Sequence, residues 1–199
     1  MRPRTRGPLP EAVASGQEAD PAPAGEWVSI DGVEYRRVVL CFLFRGGDDS
    51  GAADRIHGDR QVLLGLKRTG FGTGRVVALG GKIDGAETDL DAAVREVAEE
   101  SGIGLVPAEV RAAGSITWQF PARPAWNMAA SLFTAEAGNA TAVACEEIEP
   151  RWYGVDAIPW QDMWQDAPHW VPGLLAGRPV HATVVMSDDN ESVTGVVVD

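Results

Sequence analysis

Cysteine is scarce in this chain, with two among 199 residues. Cys41 and Cys145 lie far apart and form no paired-cysteine motif, so neither a zinc ribbon nor a disulfide scaffold is expected. A reducing cytoplasm is the expected setting. Positive charge is also short: 17 Lys and Arg against 29 Asp and Glu leave a net charge of −12. That balance lacks the basic footprint of a duplex nucleic-acid binder, although a divalent cation could still screen the phosphates of a nucleotide. No apolar run approaches the roughly 20 residues needed to span a membrane. The opening MRPRTRGPLPEAVASG has no continuous apolar segment, so no signal peptide is expected. His57, His169 and His181 show no ligand spacing, and no Ser-His-Asp triad stands out. Gly81-Lys82 is followed by Ile83, which rules out a P-loop.

What is present reads as one folded unit behind a tail. Residues 1–25 are rich in Pro, Ala, Gly and Glu without a large aromatic, which predicts a disordered tail and a single domain over 26–199. In WVSIDGVEYRRVVLCFLF, Asp31-Gly32 predicts a hairpin turn, and a buried thiol is expected at Cys41. QVLLGLKR and runs near 109–120, 126–136 and 147–155 read as strands. PVHATVVM and SVTGVVV read as two more, around the turn SDDNE. IPWQDMWQDAPHWVPGLLAG predicts a turn and one short helix closed by Gly177 and Pro179. With one longer helix near 89–101, the pattern predicts an α/β (α+β) layered fold around a mixed sheet.

The longer helix carries the chemistry. At about 100° per residue, Leu90, Val94, Val97 and Ala98 share an apolar arc expected to face the core. Glu96, Glu99 and Glu100 share a neighbouring arc, expected to point off the core. Like charges grouped this way are slightly destabilising to a helix. They form either a solvated acidic face or hard oxygen ligands for Mg²⁺ or Mn²⁺.

The spacing from Gly81 through Glu87, Arg95-Glu96, Val97, Glu99-Glu100, Gly102 and Ile103 resembles the Nudix (MutT-type) signature at all nine of its defined positions. The resemblance implies a Nudix-type α/β/α sandwich and a metal-dependent pyrophosphohydrolase of nucleoside diphosphate derivatives. It implies Glu96, Glu99 and Glu100, with the carbonyl of Gly80, as metal ligands, and an orienting Glu87–Arg95 salt bridge. Outside the signature, Glu147 in CEEIEPRWY matches a distal ligand or base, with Glu146 beside it.

LLGLKRTGFGTGR and IPWQDMWQDAPHWVPGLL are similar to the oxidised-purine nucleoside triphosphatase branch, and the likeness covers residues 61–190. That branch implies a base pocket lined by Phe71, Met128 and Trp164, with Lys67, Lys82, Trp118, Asp166 and Trp170 in the substrate site. The base is expected to stack between Phe71 or Met128 and Trp164, with Asp166 as the main polar reader. Two positions depart from the pattern: Val77 replaces an Asn, and Ala167 replaces a second acid. Three readings stay open at this point. They are a nucleoside triphosphate diphosphatase, a hydrolase of another diphosphate, and a module that binds nucleotides without cutting them. The sequence sets no oligomeric state.

Overall fold

The computed structural model describes residues 25–47 and 59–199. The expected tail, apart from Gly25, lies outside the described residues, as does His57. Asp31 and Gly32 turn the chain between β1 (Trp27–Ile30) and β2 (Val33–Arg45), both in the left-handed region at φ 51° and 79°. The strands β3 (Gln61–Lys67), β4 (Val76–Val77), β5 (Arg111–Gln119), β6 (Met128–Glu136), β7 (Ile148–Gly154), β8 (Val180–Met186) and β9 (Val193–Val198) follow. They join in the order β4-β3-β2-β6-β5-β8-β9, with β1 on β2 and β7 on β3. The β2–β6 and β5–β8 pairs are parallel and the others antiparallel, so the sheet is mixed.

Side chains alternate across a strand, and in β2 both sets are apolar. Val38, Phe42 and Phe44 join the core under α2 (Ala167–Leu175). Val39, Cys41 and Leu43 join the core under α1 (Asp89–Ser101). The two helices therefore cover opposite faces, an α/β/α sandwich. No helix among the described residues is long and apolar enough to cross a membrane.

α1 opens on Thr88, whose hydroxyl oxygen accepts from the Asp91 N–H at 3.1 Å, and ends on Gly102 in the left-handed region. Its buried face differs from the expected arc. Ala92, Ala93, Val97, Glu100 and Ser101 are buried, Leu90 and Val94 are half-buried, and Ala98 is exposed. The helix presents Ala92, Ala93 and Val97 to the core, and Glu100, three residues beyond Val97 on that face, finds partners in the Gly80 N–H and Lys67. Glu100 consequently lies on the core face at 2 % exposure, not off it.

Candidate active site

Pairing of β3 with β7 brings distant charges together. Lys67 lies opposite Ile148, which sets its ammonium beside Glu147, the residue ahead of β7. Lys67 Nζ donates to Glu147 Oε1 at 2.7 Å and to Glu100 Oε1 at 3.1 Å. Burial alone would lower the Lys67 pKa, but the bonds to Glu147 and Glu100 outweigh it and hold it above its usual value. The other oxygen of Glu100 accepts from the Gly80 N–H at 2.8 Å. Burial raises the Glu100 pKa, opposed by the Gly80 N–H and by Lys67.

Gly80 and Gly81 are required where they stand. After β4 the chain crosses to β2, with Cys41 and Val39 N–H donating to the carbonyls of Leu79 and Gly81 at 2.8 Å. Gly80 has φ 144°, and a Cβ there would come within 2.1 Å of the Val39 carbonyl oxygen. A Cβ on Gly81 would come within 2.5 Å of Glu96 Oε1, so the Glu96 carboxylate rests directly over bare backbone.

Arg95 ties the loop to the helix. Its Nη2 and Nε donate to the two oxygens of Glu87 at 2.6 and 3.2 Å, and Nη2 also reaches the Lys82 carbonyl at 3.0 Å. Its Nη1 donates to Glu96 at 2.9 Å and Glu99 at 3.1 Å. The Arg95 hydrogen bonds hold the Glu87 carboxyl below its usual range, whereas burial pushes the Glu96 carboxyl up.

Glu96, Glu99, Glu147, Gly80, Gly81, Lys82 and Lys67 border one end of a cavity of about 430 Å³. Glu100 stands behind this wall, and Glu146 takes no part in it. Among the described residues no three acidic, His or Cys side chains converge on a metal-binding geometry; the carboxylates are held by Arg95 and Lys67 instead. The donor set itself fits a hard divalent cation: carboxylates at one cavity mouth, over glycine backbone that leaves room for them.

The other end of the same cavity is apolar. Phe71, Trp118, Met128, Trp164, Asp166 and Trp170 all border it. Trp118 faces Met128 across the β5–β6 pair. Of the two partners expected to face Trp164 across the base, Phe71 is already engaged with it. The Phe71 and Trp164 rings stack on each other, centroids 5.3 Å apart and planes 18° apart. A base between them would need two layers of about 3.5 Å each, so the space is filled. Phe71 also meets Phe120 and Trp126 edge-on at 6.0 and 5.4 Å. The sequence does not single out these two aromatics, although Phe120 directly follows β5, two residues beyond Trp118. Val77 packs against the α1-side core and also borders the cavity, while the buried Ala167 offers the cavity no polar atom.

The comparisons agree with this geometry. A family model described as the NUDIX domain matches residues 34–174. An oxidized purine nucleoside triphosphate hydrolase of Mus musculus is 39 % identical over 116 residues, which are 58 % of this chain and 72 % of that protein. Its namesake in Danio rerio is 36 % identical over 115 residues, again 58 % and 72 %. Among solved structures, a mutator MutT protein from Bacillus halodurans shares the fold with a TM-score of 0.60 at 22 % identity, over 82 % of this chain and 97 % of that one. Signature, fold and relatives agree, and the chain belongs to the Nudix family of phosphoanhydride hydrolases.

Proposed function

We propose that this Nudix hydrolase cleaves a nucleoside triphosphate to the monophosphate and pyrophosphate, with oxidised purine nucleotides such as 8-oxo-dGTP among its substrates. The observation that carries the reading is the shared cavity, with carboxylates and Lys67 at one end and an aromatic pocket with one acid at the other. The relatives named for oxidised purine substrates support it.

Nudix hydrolases generally need a divalent metal, and we assign Mg²⁺, with Mn²⁺ as a substitute. Glu96, Glu99 and Glu100 with the carbonyl of Gly80 would hold it. When bound, it supplies charge neutralisation at phosphorus and a more acidic water. Arg95, fixed by Glu87, orients Glu96 and Glu99. Lys67 and Lys82 are the cations nearest the phosphates, and Glu147 accepts the proton of the attacking water. Met128 and Trp164 hold the base, Asp166 reads its edge, and Trp118 and Trp170 line the pocket around Asp166. With Val77 and Ala167 unable to bond through their side chains, selectivity for the oxidised over the normal purine is modest. Two free cysteines fit action in a reducing, cytoplasmic setting.

The test is turnover of a panel of nucleotides and diphosphate conjugates with Mg²⁺ in ¹⁸O-labelled water, products resolved by mass. Cleavage of both 8-oxo-dGTP and dGTP to monophosphate and pyrophosphate is expected, and the product that carries the label reports which phosphorus is attacked. Glu96→Gln and Glu100→Gln should each abolish most turnover, and near-native kcat in either would remove it from the ligand set. Cleavage of a non-nucleotide diphosphate alone would overturn the substrate class.

A further inference from the structure

Asp166 stands immediately ahead of α2, where an Asp usually accepts an N–H of the first helical turn. Its side chain makes no such cap. It is 2 % exposed, and among the described residues no cation pairs with it. A carboxylate buried this far needs strong donors. Two indoles provide them: Trp118 Nε1 donates to Oδ2 at 2.9 Å and Trp170 Nε1 donates to the same oxygen at 2.8 Å. The donors come from β5 and α2, on different elements, and the two rings meet edge to face at 6.2 Å. With Oδ2 doubly engaged, the carboxylate plane is fixed and Oδ1 remains for the cavity that Asp166 lines. Around it the cavity end is Val, Leu, Phe and Met side chains.

We infer that Trp118 is a positioning residue for base recognition, acting through Asp166 so that Oδ1 alone reads the donor edge of the base. This deepens the proposed function and rests on a nucleotide occupying the cavity. Oδ1 is an acceptor with two lone pairs. It suits an edge presenting a ring N–H beside an exocyclic amine, the guanine type, over one with the ring N–H alone, the hypoxanthine type. Trp170 completes the clamp from the helix, and its 5 % exposure makes it part of the core as well. Trp118 is the half-buried member, free to be altered with less damage to packing.

The experiment compares dGTP with dITP, which lacks the exocyclic amine, in wild type, Trp118→Phe, Asp166→Asn and the double variant. Phenylalanine keeps one aromatic ring at 118 and removes the donor with the second ring, so the dGTP-to-dITP ratio and the double variant, not KM alone, isolate the lost hydrogen bond. Wild type should favour dGTP in kcat/KM by about tenfold, the scale of one hydrogen bond to a charged group. Trp118→Phe should raise KM for dGTP about tenfold with kcat within twofold, and bring the two nucleotides within about twofold of each other. Because Trp118 acts through Asp166, the double variant should match Asp166→Asn alone. The indole N–H resonances of Trp118 and Trp170 should both move in Asp166→Asn, a readout independent of turnover. Unchanged KM in Trp118→Phe, or losses that multiply in the double variant, would overturn the inference while leaving the reaction intact. Guanosine and inosine monophosphate binding, followed by tryptophan fluorescence, separates the two ideas. Wild type that binds guanosine monophosphate more tightly yet cleaves no triphosphate would overturn the reaction and uphold base reading. Absence of any nucleotide binding would overturn both.

Discussion

Two cysteines of one chain acquire different chemistry from their positions. Cys41 lies in β2 with no exposed surface, and burial pushes its thiol up to about 12. Cys145 is half-buried ahead of β7. A thiolate-seeking disulfide reagent at pH 8 should therefore titrate one thiol in the native protein and two in denaturant. Two rapid equivalents in the native state would contradict the buried position of Cys41. Asp189, in the β8–β9 turn, shows the reverse effect. The Ser187 and Ser192 hydroxyls and the N–H groups of Glu191 and Ser192 hold its carboxyl well below the usual range. A depressed folded-state pKa stabilises above the ordinary carboxylate pKa, and that contribution is lost as pH falls through the folded value. Asp189→Ala should lower Tm at pH 7, and melts taken down the pH scale should converge only below the ordinary carboxylate range. Convergence near neutrality would refute this.

Elements are fixed to one another by a few polar ties, and α1 has one at each end. At its C-terminal end Glu100 accepts from Gly80 and Lys67. At its N-terminal end Asp89 accepts from Arg37 on β2 and from Ser131 on β6, while Arg37 also donates to the Gly25 carbonyl. Arg37 is the more buried partner, at 4 % exposure. Removing Asp89 strands that guanidinium, and breaking a buried pair this way costs about 3–5 kcal/mol. Arg37→Met leaves a carboxylate that still has Ser131 and partial access to water. Denaturant unfolding should thus find Asp89→Ala more damaging than Arg37→Met, and the opposite order would show that Asp89 carries the buried charge. Neither residue stands out in the sequence. Arg37 sits beside Arg36 near the start of β2, and its partner is 52 positions away.

At the scale of the molecule, the sheet carries the carboxylate end and the aromatic end into one cavity, so ligands at the two ends should stabilise together. Mg²⁺ with a slowly cleaved nucleotide at a hundred times Kd should add about 2.7 kcal/mol. For a domain of this size that is a Tm rise of roughly 5–11 °C. A chelator should remove most of it if, as proposed, the phosphates bind through the cation. An equal rise without metal would place the nucleotide elsewhere.

Local signals in the sequence determined much of this protein. Asp31-Gly32 requires left-handed backbone, the alternating strand runs follow period two, and Gly81 to Ile103 carries the family's spacing within one loop and helix. These depend on residues close in the chain, where sterics and hydrogen bonding act directly. Tertiary structure alone decided the rotation of α1 that buries Glu100, the convergence of Lys67 on Glu100 and Glu147, and the stacking of Phe71 on Trp164. It also decided the approach of the Trp118 indole to Asp166. Each joins segments that only the β-sheet brings within a few ångströms, and burial and pairing energies there depend on partners that local sequence does not specify.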